Sequence, residues 1–123
     1  MALLSRRDGH HAWAASQVGP HPPPWKSCEP ALSEAFHLLA EAGRPALSAL
    51  LRRRAVVSAF DLGGQLEPTL RLMEKYRNVP MALADACLVR MTEVLADSFL
   101  LTTDTDFLVY RRHGRQAIHC LLP

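Results

Sequence analysis

The feature that most constrains this chain is an alternation. Four short runs with β character, at 25–28, 55–60, 98–103 and 116–122, are separated by stretches whose apolar residues recur at helical spacing. The run at 55–60 reads Ala-Val-Val-Ser-Ala-Phe and stops at Asp61 and Gly63-Gly64, residues that end strands. Leu32, Ala35, Phe36 and Leu39 follow i, i+3, i+4, i+7, the spacing of one helix face, and predict a helix over 29–42 with Gly43 just past its end. Parallel neighbours need a crossover between them, usually a helix, so strands that alternate with helices predict an α/β fold with a mostly parallel sheet.

The remaining helices read in the same way. Residues 3–17 form a helical pattern that stops at Val18-Gly19, and Gly-Pro-His-Pro-Pro-Pro at 19–24 is an extended loop, because proline fixes φ and removes a donor. Pro45 suits the first turn of a short helix with Leu47, Leu50 and Leu51 on one side and Arg52-Arg53-Arg54 at its end. Pro68 opens a helix to about Arg77, with Leu66, Leu70 and Met73 inward and Glu67/Arg71 paired at i, i+4. Asn78 and Pro80 break it. Ala84, Cys87, Leu88, Met91, Val94 and Leu95 then form the strongest apolar stripe in the chain.

Composition excludes several classes. At 123 residues and 49% apolar content, the chain has the length and the hydrophobicity for one domain with a core. The net charge of +2 points to no bulk affinity for nucleic acid, so any RNA contact must come from a local patch. No run approaches the apolar length of a membrane span, and the charged start Met-Ala-Leu-Leu-Ser-Arg-Arg is not a secretory leader. Cys28, Cys87 and Cys120 are odd in number and lack any CxxC spacing, which predicts small buried hydrophobes in a reducing, cytoplasmic setting and no zinc site.

Three acids stand where the pattern is otherwise apolar. Glu34 lies inside the helix at 29–42, Asp85 in Ala84-Asp85-Ala86, and Asp104 directly after Leu100-Leu101-Thr102-Thr103. Each has a plain structural reading as well. Glu34 suits a solvated helix position, Asp85 suits a helix N-terminal dipole, and Asp104 and Asp106 suit a turn. In parallel sheets ligands sit at the carboxyl ends of strands, where Asp104 falls. Two basic runs, Arg52–Arg54 and the later one holding Arg111, Arg112 and Arg115, fit phosphate contacts or a solvated face. The second follows Asp104 closely and is favoured for substrate contact. His10-His11 reads as surface, and Trp13 and Trp25 as core.

The contexts of these acids resemble one family. Cys-Glu-Pro-Ala-Leu-Ser-Glu34-Ala-Phe-His-Leu-Leu resembles the segment of PIN domains that carries their second acid on a helix. Met73-Glu-Lys-Tyr-Arg-Asn-Val-Pro-Met-Ala-Leu-Ala-Asp85-Ala resembles the third-acid segment. Leu101-Thr-Thr-Asp104-Thr-Asp-Phe-Leu-Val-Tyr-Arg111 resembles the fourth, with its Thr-x-Asp followed by Asp-Phe. The three occur in the family's order and cover nearly the whole chain. The family begins with a strand ending in a first aspartate. Met1-Ala-Leu-Leu resembles the helix after that strand, and Asp8 reads as a helix cap and not as the missing acid.

The resemblance implies a single domain over 1–123: a PIN-like three-layer α/β/α sandwich that lacks its first, central strand. Strand order is then 55–60, 25–28, a gap, 98–103, 116–121. It implies an endoribonuclease of the VapC toxin type, using Mg²⁺ or Mn²⁺ on carboxylate oxygens, weak or inactive in this form. Glu34, Asp85 and Asp104 would be catalytic metal ligands, with Asp106 beside them and Thr102 holding an aspartate by hydrogen bond. Arg111, Arg112 and Arg115 would touch RNA. The implied partners are the RNA substrate, an antitoxin protein and a second copy in a homodimer. The alternatives are an inactive PIN-like module that binds an antitoxin or RNA, and a different metal-dependent phosphohydrolase.

Overall fold

A computed structural model describes residues 11–95 and 97–123. Most of the predicted helix at 3–17, with Asp8 and His10, lies outside the described residues; its described part is α1, His11–Ser16. The backbone divides into two compact units, one ending at Ala59 and the other spanning Phe60–Leu122.

In the first unit the proline loop leads to β1, Trp25–Ser27, and then to α2, Glu29–Leu38, α3, Arg44–Arg52, and β2, Val56–Ser58. The two strands pair in parallel with Trp25 opposite Val56 and Ser27 opposite Ser58. Two bonds extend the ladder, from Trp25 N to Ala55 O at 2.8 Å and from Ala59 N to Ser27 O at 2.9 Å. The indole Nε1 of Trp25 donates to His21 O at 2.6 Å and ties the proline loop to the strand. Ala35, Leu39 and Leu47 form the buried cluster here, with Phe36 and Leu51 against it.

The end of α2 differs from the reading of the sequence. The helix stops at Leu38, and Leu39 is already extended at φ −73°, ψ 136°. Gly43 does not terminate it. Gly43 precedes α3 with a right-handed φ of −85°, so no left-handed cap selects glycine there. A Cβ at position 43 would stand 2.9 Å from Cδ2 of the buried Leu39, so that side-chain tip would have to shift to admit one. Pro45 sits in the first turn of α3 as expected, where its missing N–H has no helical partner to lose.

The second unit contains α4, Leu66–Lys75, α5, Leu83–Val94, and four two-residue strands: β3, Leu100–Leu101; β4, Arg111–Arg112; β5, Gln116–Ala117; and β6, Cys120–Leu121. β3 pairs with β6 in parallel, and β4 with β5 in antiparallel. The turn between β4 and β5 carries His113 and Gly114 at φ 50° and 79°, the left-handed pair that matches a tight hairpin's twist. The predicted closing strand at 116–122 is therefore broken in two, because its first half pairs back locally and its second half pairs with β3.

Burial on α4 also departs from expectation. Leu66 and Leu70, read as inward, are exposed, while Thr69 and Leu72 face in. The buried Thr69 hydroxyl donates to Gln65 O at 2.7 Å, which removes the cost of an unpaired polar group and lets a threonine occupy a core position. On α5, Ala84, Cys87 and Met91 are buried as read, but so are Ala86, Val89 and Thr92, while Val94 is exposed. The helix is covered on more than one face. The core of the unit is Leu72, Met81, Ala86, Val89, Phe107, Tyr110 and Ile118.

Two of the three ladders are parallel, with α2 and α3 between β1 and β2 and a 3₁₀ turn and the β4–β5 hairpin between β3 and β6, so the chain is mixed α/β, as the alternation predicted. Among the described residues no helix is long and apolar enough to cross a membrane.

Candidate functional site

Asp85 occupies the first turn of α5. A carboxylate there is favoured by the helix dipole, and its Oδ2 accepts from Ala82 N at 3.4 Å, one half of a capping box. The same oxygen accepts from the Tyr110 hydroxyl at 3.1 Å. Asp85 is half-buried.

Asp104 follows β3 and caps a 3₁₀ turn, Thr105–Leu108. Its Oδ1 accepts from Asp106 N at 2.9 Å, and its own N–H donates to Thr102 Oγ1 at 3.0 Å. Thr102 thus holds the main chain of Asp104 and not its carboxylate. Asp104 and Asp106 both lie exposed.

Tyr110 joins these acids. Its ring is fully buried, edge-on to Phe107 at 5.4 Å and to Tyr76 at 5.1 Å between centroids. Burial, the Asp85 charge and the Asp85 hydrogen bond hold its hydroxyl well above the ordinary phenol range, and the charges of Asp106 and Asp104 add to this. Asp85 is the carboxylate in contact with that hydroxyl. Nothing in the sequence reading singled Tyr110 out. The available signal was a tyrosine three residues after Phe107, an aromatic with a polar tip on an apolar stretch, which needs a partner when it is buried.

The other expected residues fall as follows. Glu34 is exposed on α2, in the first unit. Arg111 is tied down: its Nη1 donates to Leu108 O at 2.8 Å and to Tyr110 O at 3.1 Å, while its main-chain N donates to the Tyr76 hydroxyl at 2.9 Å. Arg112 donates through Nη2 to Thr92 O. Both guanidinium groups satisfy backbone carbonyls, and Arg115 alone of the three is exposed.

Carboxylate oxygens are the donors that Mg²⁺ and Mn²⁺ prefer, so the donor type suits a hard cation. The number does not. Among the described residues no three His, Cys, Asp or Glu side chains come together to hold a metal ion. The described set is incomplete as a metal centre. Cys28 and Cys87 are buried and Cys120 half-buried, the packing expected of small hydrophobes.

No family model, no curated protein and no solved structure matches this chain.

Proposed function

We propose that the chain is a PIN-like domain of the toxin-ribonuclease type, in which Glu34, Asp85 and Asp104 are acids of a phosphodiester-hydrolysing site that needs a further carboxylate to hold Mg²⁺ or Mn²⁺. The observation that carries the proposal is the Asp85–Tyr110 hydrogen bond at the N-terminus of α5, with Asp104 standing just past the parallel strand β3 in the same unit. The strand pairings support it as well. The expected order pairs 25–28 with 55–60 and 98–103 with 116–121, and the two parallel ladders, β1–β2 and β3–β6, are those pairs.

The chain is then a weak nuclease or none in its present form. An extended version carrying an upstream strand and aspartate is expected to cut single-stranded RNA when Mn²⁺ or Mg²⁺ is added, and EDTA should stop it. Asp85→Asn, Asp104→Asn and Glu34→Gln should each abolish cleavage, whereas Asp8→Asn should change little. An extended protein that folds and binds Mn²⁺ yet leaves RNA intact would sink the nuclease reading.

A second reading is favoured by one observation. Asp85 already satisfies two donors, and Arg111 and Arg112 satisfy carbonyls, as in a scaffold whose polar groups serve the fold. On that reading the domain is an inactive module that binds RNA or an antitoxin, and co-purification with an antitoxin, without cleavage by any extended form, is its signature.

A further inference from the structure

A second basic run lies in the first unit, and the structure leaves it differently placed. The segment Gly-Arg-Pro-Ala-Leu-Ser-Ala-Leu-Leu-Arg-Arg-Arg at 43–54 holds four arginines and no acid. Its helix, α3, buries Leu47 and Leu50 against the unit's core. The opposite side carries Arg44, Ser48 and Arg52 at i, i+4 and i+8, one straight row on a helix surface. These three, with Glu41 and Pro45, line an open groove of about 450 Å³.

The guanidinium groups in this row are not used up by the fold. Arg44 donates through Nε to Phe36 O at 3.0 Å, which fixes the plane of the group. No protein group among the described residues engages its Nη atoms or the Arg52 guanidinium. Arg52 lies in the last turn, where a cation gains from the dipole, but Arg44 lies in the first turn, where it gains nothing. Helix stability alone therefore does not account for the row.

From these facts we infer that Arg44, Ser48 and Arg52 form a track for the phosphate backbone of single-stranded RNA. Eight residues of helix span about 12 Å. A row of that length reaches several successive phosphates of a single strand. Arginine presents paired N–H groups that match phosphate oxygens, and the Ser48 hydroxyl between them can donate to a third. Contacts of this kind carry no base preference. The inference rests on the RNA-directed reading above but not on catalysis, and it moves the substrate contact from Arg111 and Arg112, which the fold occupies, to α3.

The test is fluorescence anisotropy of a labelled oligouridine with the full chain in EDTA, so that binding is read without cleavage, across a series of salt concentrations. Arg44→Gln combined with Arg52→Gln should weaken binding at least tenfold. It should also flatten the plot of log K against log salt by about 1.4, since each phosphate neutralised on a single strand contributes about 0.7. Glu41→Gln, which removes the one carboxylate in the groove, should tighten binding. Arg71→Gln, on the other unit, should leave both affinity and slope unchanged. Should the double variant lose its helix content, Ser48→Asp keeps both arginines and places a carboxylate mid-row, and it should weaken binding by the same mechanism. An unchanged slope in the folded variants, no salt-dependent binding of RNA by the parent chain, or capture of an acidic peptide in preference to RNA would each overturn the inference. Cleavage by an extended chain that is indifferent to Arg44 and Arg52 would overturn it while leaving the nuclease reading intact. RNA binding that depends on them, with no cleavage by any form, would do the reverse.

Discussion

In the second unit Tyr110 is fully buried, edge-on to two aromatic rings, and anchored through its hydroxyl to a carboxylate on α5. The buried cluster of the first unit is Ala35, Leu39 and Leu47, three aliphatic side chains with Phe36 and Leu51 only partly covered. The two regions are thus stabilised by different means. The second packs large rings and adds polar ties between elements: Tyr110 to Asp85, Arg111 to Tyr76, Arg112 to Thr92, and Arg90 to Gln65 at 2.8 Å. Among the described residues of the first unit the buried cluster holds no ring, polar ties run from Trp25 to His21 and from Arg44 to Phe36, and Glu34 and Arg52 stay exposed. Groups fixed by packing and hydrogen bonds are suited to hold a constant geometry, and groups on an open helix face are suited to meet a long flexible ligand.

The contrast can be broken most forcefully at Tyr110. Tyr110→Ala removes a ring with no exposed surface, and a loss of about 3–5 kcal/mol in urea unfolding is expected from cavity formation. Leu47→Ala, the matching deletion in the first unit, should cost about 2–3 kcal/mol, because a smaller cluster collapses more easily around the gap. A Leu47→Ala loss as large as that of Tyr110→Ala would show that the first unit is packed as tightly as the second.

Tyr110→Phe isolates the polar tie from the packing and should cost about 1 kcal/mol near neutral pH. Its pH dependence has a definite sign. Burial and then the neighbouring carboxylates raise the Tyr110 pKa in the folded state, so the unfolded chain releases this proton first. The stabilisation is complete below the free-phenol value of about 10 and is lost as pH rises from there toward the folded pKa. The parent chain's melting temperature should fall steeply above about pH 10, and Tyr110→Phe should show a shallower fall. Parallel curves for the two proteins would remove Tyr110 as the alkaline-sensitive group. The smallest effect is expected at the Glu67–Arg71 pair, 4.0 Å apart with both side chains about three-quarters exposed: Arg71→Ala should change stability by less than about 0.5 kcal/mol.

Much of the backbone plan was legible in the residues. The alternation gave the α/β class, Pro45 marked a helix start, and 25–28 and 55–60 paired in parallel as read. Errors arose where tertiary contact outweighs local pattern. Gly43 looked like a helix terminator, but α2 ends earlier and Gly43 precedes α3 in a right-handed conformation with Leu39 packed over it. Leu66 and Leu70 had helical spacing, yet Thr69 and Leu72 turned inward once the threonine hydroxyl found Gln65. The acids at 85 and 104 were visible as interruptions of apolar runs. Their link through Tyr110 was not, because a bond between residues 25 positions apart has no local signature. The occupation of Arg111 and Arg112 by carbonyls was hidden for the same reason, since sequence shows a charge and not what it faces.

The tyrosine pair inside the second unit has an optical consequence. The chain has two tyrosines, Tyr76 and Tyr110, and two tryptophans, Trp13 and Trp25. Both tyrosines belong to the second unit and both tryptophans to the first. Indole emission, excited selectively at the red edge of protein absorption, therefore senses the surroundings of one unit. Phenolate absorbance on alkaline titration senses those of the other. Each unit thus has its own chromophore, so a denaturant series read by indole emission and a second one, run at alkaline pH and read by phenolate absorbance, yield two unfolding curves without any label being attached. Coincident midpoints would mean that the units melt as one cooperative body, and separated midpoints would order them directly.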